Sequence, residues 1–76
     1  MDFSIRLRSF GDVRTLADLA TAVPFRVWIS DGHQWVDAES LLCIFSLDLC
    51  EPLTLRAECS GEEFEGLRQF LMAFAY

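Results

Sequence analysis

The chain has 76 residues, 53% of them hydrophobic, with seven Phe and two Trp. This length predicts a single domain, residues 1–76, with a core dense enough to need no disulfide or metal. The formal net charge of −6, from twelve acidic residues and six arginines, argues against nucleic acid as a partner. Apolar runs fall short of the roughly 20 residues of a membrane span, and the N-terminal segment lacks the apolar core of a signal peptide. We therefore expect a cytoplasmic protein that does not bind membranes.

The three cysteines, Cys43, Cys50 and Cys59, are spaced seven and nine residues apart. Together with His33 they add up to four residues that could bind a metal, but no two of them have the close spacing of a zinc site. We expect no metal and no other cofactor, and free thiols that are buried or half-buried.

The first half of the chain alternates between strand and helix patterns. Apolar residues at positions 3, 5 and 7 recur with the period of a half-buried strand. An apolar helical stripe follows over 12–22, ended by Pro24. Ser9 and Asp12 have the spacing of a capping box, and Asp12 is an alternative cap. A second strand is predicted over 25–30.

The second half begins with a hairpin signal, Asp31-Gly32, which predicts a third strand over 34–37. Ser40 is a good N-cap for a short helix over 41–47. A fourth strand is predicted over 53–58, and a last helix after Ser60. Its predicted buried stripe comprises Phe64, Leu67, Phe70, Leu71 and Phe74. The order β-α-β-β-α-β-α predicts an α+β, open-faced two-layer sandwich, with a four-stranded antiparallel sheet and three helices on one face.

The open face of this sheet is predicted to be rich in arginine. By strand parity, Trp28 and four of the six arginines point to it: Arg6, Arg8, Arg26 and Arg56. Arginine stems stacked on Trp28 would cover the bare sheet. Alternatively, this face binds an acidic partner or a second copy of the chain.

Two segments resemble the HPr family, the small phosphocarriers of the bacterial phosphoenolpyruvate:sugar phosphotransferase system. Residues 36–47, VDAESLLCIFSL, resemble the family segment V-N-A-K-S-I-M-G-L-L-S-L. Residues 53–58, LTLRAE, resemble the fourth strand of the family, V-T-I-x-A-E. The resemblance covers nearly the whole chain and implies an HPr-like fold.

The resemblance also implies where a phosphoryl group would be carried. In HPr-like proteins the first strand-to-helix junction reads G-L-H-A-R-P-A-A, and its His accepts the phosphoryl group. Counting back from Ser40 without a gap puts Ser9 at the position of that His, and residues 10–13 contain no His either. A Ser hydroxyl without an adjacent base forms a stable ester rather than a labile P–N bond. We therefore predict a divergent member without catalytic residues, and His33 is predicted to be a solvated turn residue.

Ser40 occupies the position that is a regulatory phosphorylation site in HPr-like proteins of Gram-positive bacteria. It is either such a site or a plain N-cap. Ile44 and Leu47 are predicted to face the core. The remaining apolar residues of the segment exceed what a short helix buries, and they are candidates for a partner-binding surface: Leu41, Leu42 and Phe45.

The predicted function is a regulatory or protein-binding module, not an enzyme, with a phosphotransferase-system enzyme, a kinase or a transcription regulator as partner. The alternative is a working phosphocarrier or other component of that system that uses a non-standard residue. An acylphosphatase-like enzyme is a third class, but it would need an Asn, and the chain has none. The exposed apolar content of 70–76 and the open sheet face predict a homo-oligomer.

Overall fold

The structure, a computed structural model, describes residues 2–74. Its elements follow the predicted order, with a 3₁₀ turn, Met72–Phe74, directly after the last helix. The strands are β1 (Asp2–Ile5), β2 (Val27–Ser30), β3 (Trp35–Asp37) and β4 (Leu53–Ala57). The helices are α1 (Phe10–Ala22), α2 (Leu41–Phe45) and α3 (Gly61–Leu71).

The four strands form one sheet in the order β1-β4-β2-β3, and every neighbouring pair is antiparallel. Arg56 of β4 lies opposite Asp2 of β1 on one side and opposite Trp28 of β2 on the other. Trp28 in turn lies opposite Asp37 of β3. The predicted α+β architecture, an open-faced sandwich with a four-stranded antiparallel sheet and three helices, is confirmed.

The core lies between the sheet and the helices. Its largest fully buried side chains come from strands and helices alike: Ile5, Leu16, Ile29, Ile44, Leu53, Leu55, Leu71 and Val13. Burying a side chain of this size contributes about 1.5–3 kcal/mol relative to leaving it exposed. Ile44 and Leu47 are both buried, as predicted.

Serine side chains cap all three helices. Ser9, Ser40 and Ser60 each accept a hydrogen bond from the backbone N–H three residues later. In α3 the side chain of Glu63 also accepts from the Ser60 N–H and completes a capping box. At α1 the carboxylate of Asp12 instead accepts from the Arg8 N–H at 3.0 Å. Ser9 is therefore the cap, and α1 begins two residues before the predicted start.

The β2–β3 turn is built from local polar contacts. Gly32 has φ of +95°, in the left-handed region that residues with a Cβ rarely adopt. The Asp31 carboxylate accepts from the N–H groups of His33 and Gln34, and its other oxygen accepts from the Asp48 N–H at 3.0 Å. One side chain thus joins this turn to the segment that leads into β4.

The burial predicted for Phe70 and for two of the three thiols is wrong. Phe70 is 64% exposed because the core-facing stripe of α3 is formed by Phe64, Leu67 and Leu71, and Phe70 lies beside it. Cys43 and Cys50 are exposed, since Cys43 lies on the outer side of α2 and Cys50 lies in a turn.

The third thiol, that of Cys59, is half-buried as predicted. Burial raises its pKa, and the nearby Glu63 carboxylate raises it further. Among residues 2–74, no helix has the length and apolar character needed to cross a membrane.

Candidate functional site

The β1–α1 junction holds Ser9, which the resemblance places at the acceptor position. Its Oγ accepts the Asp12 N–H at 3.2 Å, so the hydroxyl caps the helix. The Asp12 carboxylate, bonded to the Arg8 N–H, lies at the same helix end. A negative charge is therefore already present where an incoming phosphoryl dianion would have to bind.

Phe10 follows Ser9 and stacks on Phe45 of α2. Their ring centroids are 5.5 Å apart, with an angle of 22° between the ring planes. Phe10 is 62% exposed and Phe45 43% exposed, so the pair projects from the surface. The helical pattern of apolar residues does not predict that Phe10 is exposed, because Phe10 lies three residues before the buried Val13. It is exposed because it is the first residue of α1, at the edge of the core.

Leu42 extends this apolar surface. It is 83% exposed and lies three residues before Phe45, on a neighbouring part of the same helix face. We refer to Phe10, Leu42 and Phe45 as the Phe10–Phe45 surface. Leu41 differs from the prediction, because it is half-buried and packs against the core. The exposed side of α2 is thus formed by Leu42 and Phe45 without Leu41.

A small groove of about 280 Å³ lies beside the stacked pair. Its walls come from the β1–α1 junction, α1, α2 and the turn before β4: Leu7, Arg8, Ser9, Phe10, Val13, Phe45, Leu49 and Cys50. Arg8 therefore belongs to this site, contrary to the prediction that it lies on the open sheet face. β1 ends at Ile5, and the chain has already turned toward α1 when it reaches Arg8.

Ser40, the candidate phosphorylation site, caps α2. Its Oγ accepts the Cys43 N–H at 3.3 Å, and the residue is half-buried. The exposed Glu39 precedes it, so a phosphoryl group there would meet a helix N-terminus and a neighbouring carboxylate at once. Phosphorylation of Ser40 stays a prediction.

His33 is exposed in the β2–β3 turn, whereas Ser9 lies at the β1–α1 junction. The His33 N–H donates to Asp31 at 2.9 Å. Hydrogen bonds from the N–H groups of Asp48, His33 and Gln34 lower the pKa of Asp31. His33 therefore lies in a turn that the Asp31 carboxylate holds together.

The open sheet face carries a row of side chains across all four strands: Asp2, Arg56, Trp28 and Asp37. Arg56 makes two hydrogen bonds to Asp2, at 2.9 and 3.0 Å, which lower the pKa of Asp2. Its guanidinium also lies 4.5 Å from the ring centre of Trp35. Trp35 is not among the residues predicted on this face. Val36, the next residue in β3, packs against the core, and because successive strand residues point to opposite faces, Trp35 lies on the open face.

Arg26 has a similar environment at the other side of the row. Its guanidinium lies 5.7 Å from the ring centre of Trp28, and it pairs with Asp37 at 3.4 Å. Two of the four arginines predicted on this face are therefore neutralised within the chain. Arg6 lies just beyond β1, is exposed, and donates its backbone N–H to the Phe74 carbonyl. An acidic partner would compete with these internal pairs.

No group of three or more His, Cys, Asp or Glu side chains suited to hold a metal ion occurs within residues 2–74. No protein-family model matches the sequence, and no curated protein matches it significantly.

Proposed function

We propose that this chain is a divergent HPr-like protein that does not carry a phosphoryl group and that binds another protein through the Phe10–Phe45 surface. The segment resemblances at 36–47 and 53–58 support the family assignment. The element order and the four-stranded antiparallel sheet are compatible with it.

The stacked Phe10–Phe45 pair is the observation that carries this proposal. Two aromatic rings and Leu42 remain in water at the junction where the resemblance places the acceptor. Contiguous exposed apolar surface of this kind typically marks an interface, and large aromatic side chains supply much of the binding energy at interfaces. Where a phosphocarrier would offer an imidazole, this chain offers an apolar contact surface.

The chemistry at Ser9 supports the loss of phosphoryl transfer. A reversible carrier needs a nucleophile whose phosphoryl bond is labile, which an imidazole nitrogen provides. The Ser9 hydroxyl accepts the Asp12 N–H, and the Asp12 carboxylate lies beside it. Transfer to Ser9 would require an anion to approach this carboxylate, and the product would be a stable ester.

The partner classes that follow from this proposal are a phosphotransferase-system enzyme, a kinase that acts on Ser40, and a transcription regulator, all in the cytoplasm. A partner would cover Leu42 and the Phe10–Phe45 stack. Phosphorylation of Ser40, which immediately precedes α2, would add negative charge at the edge of this contact and so regulate it.

Phosphoryl transfer is tested with purified general enzyme of the phosphotransferase system and labelled phosphoenolpyruvate. We expect no acid-labile phosphoprotein, while an ordinary HPr in the same assay is labelled. Labelling of this chain at a comparable yield would contradict the proposal and favour the alternative, a working carrier with a non-standard acceptor. A His33→Ala variant would then test the single histidine.

Partner binding is tested by titrating isotope-labelled protein with the purified general enzyme, HPr-directed kinase and HPr-binding regulator in turn. We expect backbone amide shifts around Phe10 and Phe45 with at least one of them, and their loss in the Phe45→Ser variant. Met72→Ser is the matched control, because Met72 is also an exposed apolar residue but lies in the 3₁₀ turn after α3, outside the Phe10–Phe45 surface. Absence of binding to all three proteins, or shifts confined to other surfaces, would overturn the proposal.

A further inference from the structure

A second concave surface of the described residues lies away from the Phe10–Phe45 surface. It is a groove of about 530 Å³ between the C-terminal half of α1, the segment that enters β2, and α3. Its apolar lining comes from Leu19, Ala22, Val23, Phe25, Leu67 and Phe70. The proposed function does not use this groove, and its size is in the range of binding sites.

Gly66 of α3 makes the groove wide. A Cβ at this position would have no heavy atom within 4 Å, so nothing inside the chain requires a glycine here. A glycine in a helix interior destabilises the helix by about 1 kcal/mol relative to alanine. Phe70, four residues later and 64% exposed, forms a projecting wall beside the open position.

Carboxylates surround this apolar surface. Glu63 lines the groove itself. Glu62 and Asp18 are exposed, and each lies four residues before a groove-lining residue, Gly66 and Ala22 respectively, on the same helix face. The rim of the groove is therefore acidic.

The arginines nearest to the groove in sequence do not offset these charges. Arg68 of α3 pairs with Glu65 at 3.6 Å, and Arg26 pairs with Asp37 at 3.4 Å. Within residues 2–74, none of the three rim carboxylates, on Asp18, Glu62 and Glu63, forms an ion pair, and the Glu63 carboxylate also accepts the Ser60 N–H of its own helix cap. These carboxylates are therefore available to attract a cationic ligand.

The backbone geometry favours a helical ligand over an extended one. Two walls of the groove are the helices α1 and α3, whose interior N–H and C=O groups bond along their own helix. An extended peptide would find few main-chain partners there, whereas a helix satisfies its own backbone and needs only an apolar surface.

We propose that this groove binds a basic amphipathic helix of a partner protein. The apolar side of that helix would cover Leu19, Leu67 and Phe70, and its Lys or Arg residues would face the carboxylate rim. A second copy of this chain is a poor occupant, because its own acidic rim would meet the same rim on a molecule of net charge −6.

The probe is a synthetic helix of about 14 residues, about 21 Å long, with Leu at helical spacing and Lys elsewhere. Titrated into isotope-labelled protein, it should shift the amides of Ala22 and Gly66 and leave Phe10 and Phe45 unaffected. Binding should weaken at high salt, since the rim charges are exposed. The same peptide with Glu in place of Lys should not bind.

Two opposite changes of the groove test the site. Phe70→Ser removes the wall, and Gly66→Leu fills the space where no atom lies within 4 Å of the Cβ position. Each should weaken binding at least about tenfold, as loss of a central apolar contact does at an interface. Circular dichroism should show both variants folded, because both positions are exposed.

Phe45→Ser is the control and should bind the peptide normally. Equal binding of the Glu peptide, no effect of Phe70→Ser and Gly66→Leu, or shifts at the Phe10–Phe45 surface would overturn the inference. So would sedimentation showing that Phe70→Ser abolishes a dimer of this chain. Since the proposed function is tested by Phe45→Ser and its own partners, the two can fail independently.

Discussion

Asp31 connects two parts of the chain through one carboxylate. One oxygen holds the β2–β3 turn through His33 and Gln34, and the other accepts the Asp48 N–H 17 positions away. These hydrogen bonds favour the ionised form, and they lower the pKa of Asp31 below its ordinary value of 3.8. The turn is therefore stabilised by a charge that is present at neutral pH.

An Asp31→Asn variant should have a lower melting temperature than the wild type at pH 7, because an amide nitrogen cannot accept the hydrogen bond that one carboxylate oxygen accepts. A lowered folded-state pKa gives stability that is present above the unfolded value of 3.8 and is lost as the pH falls through the folded value. The difference in melting temperature between the wild type and Asp31→Asn should therefore shrink as the pH falls below 3.8. Thermal unfolding of both proteins between pH 7 and acidic pH measures this difference.

Asp18→Asn serves as the control, since Asp18 is an exposed carboxylate on α1. A melting-temperature difference for Asp31→Asn that stayed constant from neutral to acidic pH would show that the carboxylate charge does not stabilise the turn.

Local chemistry made several of these residues predictable. Asp31-Gly32 specifies its turn through short-range contacts, and Ser40 and Ser60 cap their helices for the same reason. Phe10 and Phe70 were not predictable as exposed. Each lies at spacing compatible with a buried stripe, and only the position of the helix on the sheet decides which side faces water.

At the scale of elements, α2 is held to the rest of the molecule by little apolar surface. It spans five residues, of which Ile44 alone is fully buried, with Leu41 half-buried beside it. Helices this short are not stable by themselves, so α2 depends on its packing. Because α2 is so short, Leu42 and Phe45 remain exposed and available for contact with a partner protein.

Ile44→Ala should lower the free energy of unfolding by about 2–5 kcal/mol, because it leaves a cavity in the core. Phe45→Ser should lower it by less than about 1 kcal/mol, since only an exposed aromatic stack is lost. Urea denaturation of the two variants gives both values. A loss of several kcal/mol in Phe45→Ser would mean that Phe45 is a core residue and not a binding residue.

Strand parity predicted the faces of β2 and β4, where Trp28 and Arg56 lie on the open side. It failed for Arg8, because parity holds only while the chain continues as a strand and β1 ends at Ile5. The ends of elements depend on long-range pairing, and β1 finds its pairing partner in β4, far along the chain. The candidate site lies at such an end, which is why Phe10 and Arg8 were not predicted as parts of it.

At the scale of the whole molecule, the open sheet face is close to neutral although the chain carries −6. Arg56 and Arg26 are paired with Asp2 and Asp37. The homo-oligomer predicted from the sequence stays a prediction, and part of the C-terminal segment behind it, Ala75 and Tyr76, lies outside the described residues. Its driving force would have to come from exposed apolar side chains.

We therefore expect that self-association, measured by sedimentation at micromolar concentration, is unchanged between low and high salt and is weakened by Phe45→Ser. Apolar contacts tolerate salt, whereas pairing of exposed charges is screened by it. Dissociation in high salt would show instead that arginine pairs join the copies.

The pairing of β1 with β4 has a consequence for synthesis on the ribosome. The Asp2–Arg56 pair joins residues 54 positions apart, and among the strands within residues 2–74 β1 pairs only with β4. While the chain is being made, the β2–β3 hairpin can form early, but β1 has no sheet to join until β4 has left the exit tunnel. Contacts of such long separation close late and slowly. During that interval the apolar side of β1 is open to chaperones and to neighbouring nascent chains.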